Sequence, residues 1–149
     1  MKRLIALTAA FIIASCSQEA SSTNESGATA SSSVSSQSNE SLSPAERGQR
    51  LFAQETCATC HTVKEGDVNR IGPNLYDVVG REAGQVEGFA YTKAVTESGI
   101  TWTEENLDAF LENPQGFMRG NRMAYVGQRD AEKRAALIAY MKTLKPAAD

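Results

Sequence analysis

Cys57-Ala58-Thr59-Cys60-His61 carries the most chemistry in this chain, because C-x-x-C-H is the attachment sequence for covalently bound c-type haem. Two thiols at this spacing form thioethers with the haem vinyl groups, and the adjacent imidazole binds iron from below. His61 is the chain's only histidine. A zinc site is the competing chemistry, but it wants four good ligands and this segment supplies three. A dithiol redox site is the other, yet the flanks lack the βαβ pattern that surrounds a thioredoxin-like C-x-x-C.

The chain has 149 residues, and its first third has no globular pattern, leaving about a hundred for one core. A domain of that size gains much from an apolar cofactor in its centre, so the apoprotein is expected to fold poorly. Lys2 and Arg3 precede an apolar run from Leu4 to Ala14 that is too short to span a bilayer and reads as an export signal over residues 1–15. Ile13-Ala14-Ser15-Cys16 resembles a bacterial lipobox, which makes Cys16 the expected lipidation site and the mature N-terminus. From Ser17 to Ser43 the chain is mostly Ser, Thr, Asn, Gln, Glu, Gly and Ala. Residues 16–43 therefore read as a lipidated cysteine and a disordered linker with an end-to-end distance of roughly 25–30 Å. Such a tether keeps a domain near membrane partners while leaving it free to rotate.

The domain at 44–149 opens on a capping signature, with Ser43 as N-cap, Pro44 at the first helical position and Glu46 three residues after the cap. This helix is expected to reach about Thr56. A second long helix is expected over Ala131 to Leu144, where Leu137, Ile138, Tyr140, Met141 and Leu144 recur at helical spacing before Lys145-Pro146. Gly48 in the first helix and Tyr140 in the second mark a crossing point. Between them short helices are expected near Thr92–Glu97 and Thr103–Glu112, ended by Gly99 and by Asn113-Pro114, with long connections and no strand pattern.

Residues 44 to 145 resemble a class I cytochrome c of the mitochondrial and alphaproteobacterial type. The blocks that carry the likeness are Cys57 to Val63, Gly72-Pro73-Asn74-Leu75, Val79-Gly80-Arg81, Gly88-Phe89-Ala90-Tyr91-Thr92, Gly99-Ile100-Thr101-Trp102, Leu111-Glu112-Asn113-Pro114, Gly120-Asn121-Arg122-Met123 and Leu137-Ile138-Ala139-Tyr140. The resemblance implies a small, mainly α fold with crossing terminal helices and long loops around one covalent haem c on Cys57 and Cys60. It implies His61 and Met123 as iron ligands. A thioether opposite imidazole favours ferrous iron and raises the potential. Met118 is the rival ligand, while Met141 sits in a helical stripe where packing explains it. By the same resemblance the Pro73 carbonyl accepts the second imidazole nitrogen of His61, and Arg81, Tyr91 and Trp102 balance or bond a haem propionate. Asn121 replaces a more usual threonine in the ligand loop and retains a donor. Phe110 stands where many relatives have a tyrosine near the sulfur. An extra residue between Phe52 and Cys57 departs from the family spacing.

Setting aside Lys2, Arg3, Glu19, Glu25 and Glu40 leaves thirteen basic against fifteen acidic residues in the domain. An acidic domain without basic clusters gives no support for nucleic-acid binding. Gln115 and Gly116 occupy positions that are often lysine in relatives, leaving Arg119, Arg122 and Lys64 either as a small positive rim or as scattered surface charge. The resulting expectation is a monomeric electron carrier, not an enzyme, lipid-anchored on the periplasmic side of a Gram-negative membrane. Its implied donor is a cytochrome bc complex, and its implied acceptor a terminal oxidase or reaction centre. The alternatives are a haem sensor or peroxide site with a labile methionine, and a fixed electron-entry subunit of a larger oxidoreductase.

Overall fold

The computed structural model describes residues 42–146. The expected signal segment, Cys16 and nearly all of the linker lie outside the described residues. Among the described residues six helices follow one another: α1 (Pro44–Gln54), α2 (Cys57–Cys60), α3 (Lys93–Thr96), α4 (Glu104–Glu112), α5 (Pro114–Phe117) and α6 (Ala131–Met141). Among the described residues there is no strand, only an isolated antiparallel bridge between Glu82 and Thr101. The chain is mainly α, with long connections, as its sequence patterning predicts.

α1 begins with the expected capping box: the Ser43 hydroxyl accepts from the Glu46 N–H, and the Glu46 carboxylate accepts from the Ser43 N–H at 2.8 Å. It ends at Gln54 rather than near Thr56. Glu55 closes it, its N–H donating to the Leu51 carbonyl at 2.8 Å, and Thr56 takes a left-handed conformation at φ 64°. This backbone turn at Thr56 lets Cys57 start α2 in a new direction. α6 starts where expected, with Asp130 accepting from the N–H groups of Glu132 and Lys133, but stops at Met141 in a turn short of Leu144. α5 was not expected, since Asn113-Pro114 reads as a stop. Proline also suits a first helical position, and here Asn113 caps the new turn by accepting from Gly116 N–H at 3.0 Å.

α1 and α6 cross in direct backbone contact. A Cβ on Gly48 would sit 1.9 Å from the Ala136 carbonyl oxygen and 2.8 Å from the Tyr140 Cβ, so only glycine permits the approach. The Phe52 and Tyr140 rings meet edge to face at 5.5 Å. Phe52, Val78, Leu107, Leu111, Leu137, Ile138, Met141 and Leu144 form the main buried cluster, and Cys57 and Ala58 pack on its rim. The attachment motif therefore rests on the helix crossing. A second cluster of Ala83, Val95 and Met118 lies among Tyr91, Ile100, Trp102, Phe110 and Phe117.

α6 is also fastened at its start. Arg134, buried at 6% exposure, forms a two-pronged pair with Asp108 of α4 at 2.7 and 3.1 Å. The same guanidinium donates to the carbonyls of Gln128 and Arg129, each at 3.0 Å, which fixes the end of the long loop that leads into α6.

Candidate functional site

α2 is a single turn whose two cysteines are half-buried free thiols. His61 follows it in extended backbone, its N–H donating to the Cys57 carbonyl at 2.9 Å. The imidazole Nδ1 lies 2.8 Å from the carbonyl oxygen of Pro73. A carbonyl can only accept, so Nδ1 carries the proton and Nε2 keeps its lone pair. Burial lowers the His61 pKa, partly offset by the bond to Pro73, which favours the neutral, ligating form. Burial also pushes the Cys57 thiol up to about 11, helped by the charge of Glu55 and by Cys60. A raised thiol pKa lowers the fraction of thiolate available for disulfide exchange. Among the described residues no three His, Cys, Asp or Glu side chains come together as metal ligands.

Pro73 is held in place by a loop organised around its neighbour. Buried Asn74 donates from Nδ2 to the carbonyls of Lys64 and Asp67 at 2.8 and 3.1 Å, while its Oδ1 accepts from the Tyr76 N–H. Thr62 closes the same loop by donating to the Val68 carbonyl at 2.9 Å. Gly72 lies against the imidazole: an added Cβ would stand 2.4 Å from His61 Cε1 and under 3 Å from both ring nitrogens. The ring is thus gripped between a glycine and a carbonyl.

Arg81 reaches back to this loop, donating to the carbonyls of Tyr76 and Asn74 at 2.7 and 3.1 Å. It is tied to Trp102 through backbone, since Trp102 N–H donates to the Arg81 carbonyl at 2.9 Å. Burial lowers the pKa of Arg81 and raises that of Tyr91, each partly countered by the other's charge. Arg81, Tyr91 and Trp102, which the sequence places 10 and 11 residues apart, are therefore neighbours. Beside them is a residue that sequence reasoning did not single out. Thr92 stands at the N-cap of α3 but makes no cap bond, and its hydroxyl is the one buried side-chain polar atom without a partner among the described residues. A buried hydroxyl left unpaired is costly, which points to an acceptor that a bound group brings.

The loop from Met118 to Asp130 carries both candidate methionines. Met118 is 5% exposed and packs among aromatic rings in the second cluster, a position that side-chain packing accounts for. Met123 is half-buried. Asn121 shapes the turn between them, with Nδ2 donating to the carbonyls of Pro114 and Met118 at 2.8 and 2.7 Å and Oδ1 accepting from the Met123 N–H at 2.9 Å. Both amide hydrogens of Asn121 are thus spent within the loop, so it positions neighbours and has no donor left for a ligand. Phe110 packs its ring 5.0 Å from Trp102 and 6.1 Å from Phe117. Arg122 donates to the Ala90 carbonyl, joining this loop to the Tyr91–Thr92 segment.

A family model described as cytochrome c matches residues 45–145, which is most of the chain. The chain belongs to the cytochrome c family. It is 52% identical to cytochrome c of Trypanosoma brucei brucei over 81 residues, covering 54% of this chain and 87% of that protein. It is 46% identical to cytochrome c of Euglena viridis over 101 residues, covering 68% of this chain and 97% of the relative. With cytochrome c2 of Rhodopila globiformis the identity is 46% over 98 residues, covering 66% and 91%. Cytochromes c of this family bind one haem c covalently through their cysteine pair, here Cys57 and Cys60, and are electron carriers rather than enzymes. The residues in place fit that group. The two half-buried thiols, an imidazole with Nε2 available, a glycine-floored ring and the unpartnered Thr92 hydroxyl are the features that a covalent haem with acidic side arms would use.

Proposed function

We propose that this cytochrome c is a membrane-tethered, periplasmic, monomeric carrier of single electrons, with haem iron held by His61 and Met123. The observation that carries the reading is the His61 imidazole, whose Nδ1 is committed to Pro73 so that Nε2 can bind metal. When bound, haem iron supplies the one-electron change between ferrous and ferric states. His61 lends its Nε2 lone pair, and the Pro73 carbonyl fixes the ring and raises its basicity. Met123 lends a soft sulfur that favours the reduced state. Asn121 sets the loop in which that sulfur is presented. Arg81, Tyr91, Trp102 and Thr92 offer one cation and several donors to balance buried propionate charge.

The test is the oxidised absorption spectrum of the full, haem-loaded chain in the far-red region. A weak charge-transfer band with low-spin features is expected for iron–thioether coordination, and Met123→Ala is expected to abolish it. A high-spin spectrum, or carbon monoxide binding by the reduced protein at neutral pH, would instead indicate an open iron position and a sensor or peroxide site.

For the tether, the support is the apolar run ending in Cys16 and the Ser-rich segment beyond it. Cys16→Ser is expected to release the protein from membranes. Among the described residues no helix is long and apolar enough to cross a membrane. The donor that suits such a carrier is a cytochrome bc complex, and the acceptor a terminal oxidase or reaction centre. Loss of electron delivery between them on Cys16→Ser, restored by excess soluble domain, would distinguish a shuttle from a fixed subunit.

A further inference from the structure

Glu55 lies at the end of α1, two residues before the first cysteine of the attachment motif. Its two carboxylate oxygens take one donor each from a distant loop: the Tyr125 hydroxyl donates to Oε2 and the Gln128 side-chain amide to Oε1. The partners are 70 and 73 residues away in sequence. Both belong to the loop that carries Met123.

The value of this contact follows from what else holds that loop. Upstream, Asn121 and Arg122 fasten it to Pro114, Met118 and Ala90. Downstream, Gln128 N–H donates to the Leu111 carbonyl at 2.8 Å, and Arg134 holds the carbonyls of Gln128 and Arg129. Between these two anchors, residues Ala124 to Gly127 make no backbone hydrogen bond among the described residues, and the Tyr125 hydroxyl makes the segment's one side-chain bond. Val126 in this stretch is 96% exposed, and the packing of the segment comes from its neighbours, Tyr125 on the rim of the main cluster and Gly127 against the Glu112 carbonyl. Gln128 itself joins Glu55 to the start of α6, because its Oε1 accepts from the Asp130 N–H at 3.0 Å. Tyr125 packs on the same rim of the main cluster as Cys57. The left-handed Thr56 is what turns the chain between Glu55 and Cys57.

We propose that Glu55 is a positioning residue that holds the Met123 loop closed, acting through Tyr125 and Gln128. The proposal rests on Met123 being the sixth ligand. An ionised acceptor that takes two donors strengthens both bonds, so each is expected to slow opening of the segment next to the ligand. Glu55 thereby links the segment that carries Cys57 to the loop that carries Met123, whose sulfur would hold iron through a reversible bond.

The experiment uses the haem-loaded full chain and imidazole as an external ligand that binds ferric iron only where Met123 lets go. Imidazole affinity is read from the Soret shift, the far-red band reports the iron–sulfur bond, and guanidinium unfolding of helical ellipticity reports global stability. Tyr125→Phe, which removes only the hydroxyl, is expected to raise imidazole affinity by about tenfold, the loss of a hydrogen bond to a charged group, and Glu55→Ala, which also removes the Gln128 bond, by more than that. The Glu55→Ala/Tyr125→Phe double variant is expected to match Glu55→Ala, since both remove the same bond. Glu55→Gln, which still accepts from Tyr125, is expected to lie between wild type and Glu55→Ala. The idea is overturned if neither single variant changes imidazole affinity, if their effects add in full, or if affinity rises only in proportion to lost global stability. A wild-type protein without the far-red band overturns it for a different reason, by removing Met123 as ligand. A band that is present while Glu55→Ala behaves as wild type sinks the role of Glu55 alone.

Discussion

The Nδ1 of His61 stands 2.8 Å from the carbonyl oxygen of Pro73, and the preceding residue, Gly72, leaves no room for a side chain against the same ring. Orientation and tautomer of the imidazole are thus settled by backbone before any metal is considered. A Cβ at position 72 would meet three ring atoms at 2.4 to 2.8 Å. Gly72→Ala is therefore expected to tilt the imidazole, cost about 1–3 kcal/mol of stability and weaken the low-spin spectrum. Thermal unfolding of the holoprotein with parallel visible spectra checks this; an unchanged Tm and spectrum would mean the ring has freedom that the structure denies it.

Met118 and Met123 lie in one loop but are expected to fail differently when truncated. Met118→Ala leaves a cavity among Phe110, Phe117 and Trp102, costing about 2–5 kcal/mol while the far-red band survives. Met123→Ala should abolish the band and lower the reduction potential with a smaller loss of helical stability. Spectra and potentiometry on the two variants separate packing from ligation, and an exchange of these phenotypes would make Met118 the ligand.

Thr92 provides a test of how the bound cofactor is received. Its hydroxyl has no partner among the described residues, so Thr92→Val, nearly isosteric, would relieve an unpaired group if none were supplied. If a haem carboxylate takes that hydroxyl, the variant holoprotein should instead lose about 1–2 kcal/mol. Denaturant unfolding of the two holoproteins decides the sign, and a more stable Thr92→Val protein would remove Thr92 from the site.

All four tyrosines, Tyr76, Tyr91, Tyr125 and Tyr140, have phenols above the ordinary range, each chiefly through desolvation, with Glu55 adding to the effect at Tyr125. Folded-state values above the unfolded ones mean that the unfolded chain releases these protons first as pH rises. Their contribution to stability is full below about pH 10 and is lost as pH climbs through the folded values. Ultraviolet difference titration should show less tyrosinate at pH 10 in the folded protein than in the unfolded chain, and unfolding midpoints should fall above it. Ordinary titration of all four near pH 10 with no loss of stability would contradict this.

Much of this protein is written in local sequence. C-x-x-C-H names a covalent haem by itself, because thioether chemistry and axial ligation need those atoms within one turn of chain. The Ser43, Pro44 and Glu46 signature starts α1 because capping is satisfied within four residues. Gly48 announces its crossing because a glycine inside a helix has few other reasons to persist. The α1 end, α5 and the use of each polar side chain were decided elsewhere. Whether Asn113-Pro114 stops a helix or starts one depends on whether Asn113 finds Gly116. Whether Asn121 serves a ligand or its own loop depends on which carbonyls lie nearest. Thr92 looks like any helix cap until burial leaves it without a bond. Glu55, Tyr125 and Gln128 have no signature at all, since hydrogen bonds spanning about seventy residues are set by how helices and loops come to rest together. Sequence alone determined the cofactor, its attachment and the helical class, because those rest on bonds between near neighbours. Only the tertiary structure decided which polar groups hold the loops around that cofactor, because a hydrogen bond is directional and its partner is known only once the chain has closed.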